Sequence, residues 1–195
     1  MDYTTCKYRL YPTDEQQRQF AHIFGCCRFI KNLILEQNEF THELGFGFTN
    51  ATKLSREIKE LRDDGEIAPW LKEAPAQVLQ QAMRDRLEGF SRFYKGQAAY
   101  PKYARRTGKQ GFRIPQNVKI KRVSTRWGEI LVPKCGSVRF RWDHSPKGLI
   151  KAATASKTLM VATTCVCAAK SERALGRRRA YGHAHALIGR SQINR

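Results

Sequence analysis

Hydrophobic positions repeat with two periods, and the change from one to the other marks out the elements. Residues 6–11 alternate, with Cys6, Tyr8 and Leu10 on one side and Lys7, Arg9 and Tyr11 on the other, as in a strand with one buried face. Pro12 has no N–H to donate and ends it. Thr13 and Gln16 form a capping box, and Asp14 and Glu15 suit the positive end of the helix that follows. Phe20, Ile23 and Phe24 share a face of that helix, Gly25 offers a left-handed C-terminal turn, and Cys27, Ile30 and Ile34 resume the stripe. Two short helices meeting at Gly25 are expected, the second running to about residue 42.

The run Gly45-Phe46-Gly47-Phe48-Thr49-Asn50 breaks the pattern as a loop. Leu54, Ile58 and Leu61 predict a third helix, ended by Asp63-Asp64-Gly65. Pro75 then opens a fourth, whose apolar stripe is Leu79, Met83, Leu87 or the stem of Arg86, Phe90, Phe93 and Tyr94. Its other face carries Gln77, Gln80, Gln81, Arg84 and Glu88. Beyond Gly96 the period returns to two, in short pieces at 111–114, 118–123, 129–132 and 137–142 separated by turn signals. Residues 159–166 are apolar enough for a strand, but 168–195 show neither period and read as a poorly ordered basic tail. The fold class is α+β: a small antiparallel sheet or barrel, opened by a first strand at 1–12, into which four helices over 13–96 are inserted. A basic β-rich region spans 97–157 and an irregular segment 158–195.

Composition supports a folded chain, with 41% apolar residues in 195. Charge changes the picture more: 36 Lys and Arg stand against 17 Asp and Glu, a net +19. Such an excess is best neutralised by a polyanion, with nucleic acid the default partner and an anionic membrane the lesser one. Residues 92–147 alone hold 15 Lys and Arg with two acids, Glu129 and Asp143. No run is long and apolar enough to span a bilayer and no signal pattern opens the chain, so a cytoplasmic protein without a membrane partner is expected. The six cysteines form no regular framework and read as buried or idle thiols.

Candidate chemistry is recognition rather than catalysis. The first two helices suit either a helix-turn-helix reader or plain packing, and the broad apolar face of the second favours packing. Gln77, Gln80, Gln81 and Arg84 can hydrogen-bond base edges, although a merely solvated face explains them too. In the basic stretch, Lys102, Tyr103, Arg105, Arg106, Arg113, Lys119, Lys121 and Arg122 suit phosphate contact or stacking. A two-metal nuclease needs clustered carboxylates, and past Asp143 only Glu172 remains. A zinc site from Cys165, Cys167, His183 and His185 lacks a usual finger spacing. No catalytic residue, metal or cofactor is therefore assigned.

Several spaced motifs, in order, resemble the TnpB/OrfB family of transposon-encoded proteins. They are Lys7-Tyr-Arg-Leu-Tyr-Pro-Thr13, Phe24-Gly-Cys-Cys-Arg-Phe29 with Asn32, Trp70-Leu71 with Gln77-Val-Leu-Gln-Gln81, Phe90-x-x-Phe-Tyr94, Tyr100-Pro-Lys-Tyr103 and Phe112-Arg-Ile-Pro115. The likeness covers about residues 7–157. It implies a wedge-type β-barrel interrupted by a helical recognition lobe with a helix-turn-helix-like start at 13–42. It also implies RNA-guided DNA cleavage by a RuvC-like domain that this chain stops short of. Contacts to the DNA motif beside the target would fall on Gln80, with Gln77 and the Phe48-Thr49 loop, whereas the basic residue expected near position 76 is Ala76. The expectation is a transposase fragment that binds DNA and a transposon-derived guide RNA without the nuclease. The alternatives are an RNA-guided repressor and a decayed gene product. Codons allowed for residues 159–167, read one frame over, give Asp-Gly-Arg-Tyr-Tyr-Leu-Cys-Leu, the kind of strand the family has there. A frameshift near Thr158 is therefore expected.

Overall fold

A computed structural model describes residues 3–46, 50–144, 149–157 and 163–170, the last stretch by its backbone alone. The described residues form three helices, one 3-10 turn and seven strands: β1 (Tyr3–Tyr11), α1 (Asp14–Glu43), α2 (Ala51–Asp64), the turn Pro69–Glu73, α3 (Ala76–Tyr94), β2 (Gln110–Ile114), β3 (Lys119–Arg122), β4 (Trp127–Val132), β5 (Gly136–Arg141), β6 (Leu149–Lys157) and β7 (Thr163–Lys170). This is the α+β class expected.

The capping box is present: the Gln16 N–H donates to Thr13 Oγ1 at 3.3 Å and the Thr13 N–H to Gln16 Oε1 at 3.1 Å. The same glutamine donates through Nε2 to Ser137 O at 2.9 Å, which fixes the helix start to β5. The break at Gly25 is absent, because α1 continues through it for 30 residues, about 45 Å. Packing on both sides overrides the weak propensity of one glycine. Phe20, Ile23, Phe24 and Cys27 enter the core under the sheet, whereas Cys26, Ile30, Ile34 and Leu35 enter a second core with α2 and α3. One helix therefore replaces the expected pair and ties the two cores together.

Gly25 tests this continuity. A Cβ there would meet nothing closer than a guanidinium nitrogen of Arg28, at 3.9 Å. Gly25→Ala is expected to stabilise the protein by about 1 kcal/mol, because alanine is the better helix former. Thermal unfolding reads the gain, and a lower Tm would mean that the chain needs a break there.

The strands make an antiparallel sheet of order β2-β6-β7-β1-β5-β4-β3. Long β1 serves two halves, pairing with β7 from Tyr3 to Arg9 and with β5 at Leu10 and Tyr11. Edge strands β2 and β3 are joined by only residues 115–118, a reach of less than about 20 Å, so the sheet must curl. Phe112 of β2 and Ile130 of β4 accordingly share one core with Tyr8, Val138 and Phe140. Among the described residues no ladder joins β2 to β3, and the sheet is open rather than a closed barrel.

One strand departs from expectation and another extends beyond it. Residues 149–157 carry no strong strand signal, yet they form β6, where Ala153 and Ala155 are buried core residues. The strand expected over residues 159–166 is met by β7, described from residue 163, and it runs on to residue 170, into the segment read as irregular, because β1 and β6 both offer an edge there. Residues 158–162 and 171–195 lie outside the described residues.

Candidate nucleic-acid interface

Helix α3 buries Val78, Leu79, Ala82, Met83 and Phe90 and leaves Gln77, Gln80 and Arg84 exposed. These three, with Gln81, recur at spacings of three and four and make one polar face. Gln81 is half-buried, and its Nε2 donates to Asp85 Oδ1 at 2.8 Å, so that amide is engaged within the helix. Phe93 and Tyr94, expected in the apolar stripe, are 37% and 59% exposed because α3 ends beyond the core at Lys95. Thr49 lies outside the described residues.

The next group is a strap, residues 100–109, that has no regular structure of its own. Asn32 of α1 holds it by both ends of its amide: Nδ2 donates to Ala104 O at 3.2 Å, and Oδ1 accepts from the Ala104 N–H at 2.8 Å. Arg86 of α3, 92% buried from its 8% exposure, donates through Nη1 to Lys102 O at 3.1 Å. Burial lowers the pKa of that guanidinium, and no carboxylate bonds it among the described residues. Arg86 is thus a structural cation that the sequence shows only as a possible apolar stem. The Tyr103 hydroxyl donates to Glu39 Oε2 at 3.2 Å, and the Tyr100 ring packs against Phe90 and Phe93.

Pinned from below, the strap presents Lys102, Arg105, Arg106 and Lys109 to solvent. A cleft of about 350 Å³ opens between α1 and its turn, lined by Arg28, Arg106, Lys157 and Gln110, with no acidic residue among the described residues. A second hollow, about 730 Å³, is lined by Lys102, Arg105, Lys109 and Tyr103, with Glu39 as its acid. Arg28 and Lys157 were not expected in this group. Arg28 sits inside the Phe24–Phe29 motif, but only the three-dimensional course of the strap sets it opposite Arg106.

The remaining expected cations divide between the two sheet edges. Arg113 is exposed on β2, while Lys119, Lys121 and Arg122 lie on β3. Arg122 is partly engaged, since Nε donates to Ser124 O at 3.1 Å and its guanidinium lies 5.7 Å from the Trp142 ring. Cys6, Cys26, Cys27 and Cys135 are buried free thiols. Burial pushes Cys26 and Cys135 up to about 11 and Cys27 to about 12, so none of those three supplies a thiolate near neutral pH. Among the described residues no group of His, Cys, Asp and Glu could hold a metal ion. No described helix is long and apolar enough to cross a membrane.

A family model described as a helix-turn-helix domain, of the OrfB/IS605 type, matches residues 1–45. The chain is 31% identical over 152 residues to the "Putative RNA-guided DNA endonuclease InsQ" of Escherichia coli (strain K12), covering 78% of this chain and 37% of that protein. The chain belongs to the TnpB/OrfB family. A Streptomyces pristinaespiralis protein, "Putative RNA-guided DNA endonuclease", is 33% identical over 100 residues, or 51% of this chain and 25% of its own length. The chain therefore spans well under half of these TnpB/OrfB relatives. The segment that carries the helix-turn-helix description is, in this family member, one strand and one unbroken helix.

Proposed function

We propose that the chain is a nucleic-acid-binding portion of a TnpB-type transposase, engaging DNA and a guide RNA and taking no part in cutting. The observation that carries this reading is the pinned strap, whose exposed cations sit on a backbone held by Asn32 and Arg86. A flexible basic loop would lose conformational freedom on meeting a phosphate chain, whereas a pre-ordered one loses little. The name borne by the relative, "Putative RNA-guided DNA endonuclease InsQ", supplies both polymers. The face of α3 adds a means of reading sequence, because Gln80 and Gln77 suit adenine edges and Arg84 suits guanine or phosphate. In this reading the curled sheet is the wedge and the helices are the recognition lobe.

The test is a strap variant, Lys102→Gln/Arg105→Gln/Arg106→Gln. All three side chains are exposed, so folding is expected to be retained. In a plot of log affinity against log salt for duplex DNA or RNA, the slope should become shallower by roughly one per lost phosphate contact, about three in all. An unchanged slope would remove the strap from the interface.

A further inference from the structure

The outer face of the half-sheet β1-β5-β4-β3 carries a pattern that the strap and α3 do not. Register places Tyr11 opposite Arg139, Arg139 opposite Glu129 and Glu129 opposite Lys121, a single row across all four strands. Three strand spacings make that row about 14 Å wide. In the neighbouring row Trp127 stands opposite Arg141. The inner face of the same strands is apolar, with Leu10, Ile130, Val138 and Phe140 buried, so the outer set is fixed by a well-packed floor.

The rings are arranged beside cations rather than beside apolar neighbours. Tyr11, 42% exposed, meets the half-buried Trp127 edge-on at 5.2 Å. The Arg9 guanidinium lies over Tyr11 at 5.5 Å and that of Arg141 over Trp127 at 5.8 Å. The Arg139 side chain is 72% exposed and only 4.0 Å from Glu129, while Arg141 is 3.5 Å from Asp143. Four cations thus surround two rings and two acids, a net positive face with aromatic surface at its centre. Duplex backbone would use the cations but gain nothing from the rings, since its bases are stacked inward. Unpaired nucleotides use both, because every base has a face to stack and a phosphate beside it.

We propose that this sheet face is a stacking platform for unpaired nucleotides, with Tyr11 and Trp127 taking bases and Arg139, Arg141 and Lys121 taking the flanking phosphates. It rests on the nucleic-acid reading above and adds a second surface of different chemistry.

Fluorescence anisotropy on the full chain tests it, with probes of about 12 nucleotides as single-stranded RNA, single-stranded DNA, duplex DNA and an abasic strand of equal charge. Tyr11→Ala/Trp127→Leu should weaken both single strands by roughly ten-fold or more and leave the duplex and the abasic strand within about two-fold. Arg139→Gln/Lys121→Gln, altering two exposed side chains, should weaken the abasic strand as well and guards against misfolding of the ring variant. The stronger of the two single-stranded probes identifies whether RNA or DNA occupies the face. Equal losses on single strand and duplex, or no loss from the ring variant, overturn the platform and leave the strap reading standing. Wild-type protein that binds the duplex but neither single strand does the same. Wild-type protein that binds none of the probes overturns both.

Discussion

Gly128→Val is expected to be the most damaging single substitution in the sheet. Gly128 is buried on β4 directly opposite Phe140. A Cβ at this position would lie 2.5 Å from Cε3 of Trp142 and 2.6 Å from Cζ of Phe140. Neither ring can simply swing away: Phe140 packs on Tyr8 at 4.8 Å and on Trp142 at 5.5 Å, and the Tyr8 hydroxyl donates to His144 O at 3.0 Å. The glycine is required by space rather than by a left-handed backbone. Overpacking of this kind costs about 1–3 kcal/mol for modest excess volume, and valine should reach or pass the upper figure. For a chain of this length that lowers Tm by roughly 6–12 °C. Thermal unfolding with a near-UV aromatic signal reads it, and a variant melting with the wild type would show that the three rings are not interlocked.

The second large effect concerns binding. Lys102, Arg105, Arg106, Arg113, Lys119 and Lys121 are all exposed, and none forms an ion pair among the described residues. If about six of these cations each displace a counterion from nucleic acid, affinity should fall about a thousand-fold between about 50 and about 200 mM salt. The fall should be log-linear, and most of it should survive a change of base sequence. A titration showing less than about a ten-fold change over that range would mean that most of these cations never meet a phosphate.

Local rules were legible in the sequence and long-range pairing was not. The capping box of Thr13 and Gln16, the alternation from Cys6 to Tyr11 and the end of α2 at Gly65 depend on neighbours within four residues, and each is realised. Gly65 takes φ +75° as the left-handed C-terminal residue. Gly25 looked like the same signal, but burial of α1 in two cores outweighs roughly 1 kcal/mol of propensity. Strand β6 carries little local signal because alanine and lysine are poor strand formers. Its small side chains make sense only beside β2, where Gly111 faces Ser156 and a Cβ on Gly111 would come within 3.2 Å of Ala155 O.

The candidate site divides in the same way. The α3 face could be read from helical spacing alone, and its exposure agrees. The strap was visible as a run of charge, but its hold on Asn32, 72 residues earlier than Ala104, was not. Tyr11 and Trp127 come together only through the register of β1, β5 and β4, which no local pattern reports.

The position of β1 also sets an order of events during synthesis. This strand is made well before its partners β5 and β7, which lie at residues 136–141 and 163–170. At about 5–20 residues per second, the ribosome needs roughly 10–30 s to complete them. The helical core, whose members all fall within residues 26–90, can close well before then, with α1 already in place as its spine. The nascent chain therefore carries an unpaired strand on a helix that is already anchored, and that strand is enclosed only when its later partners arrive.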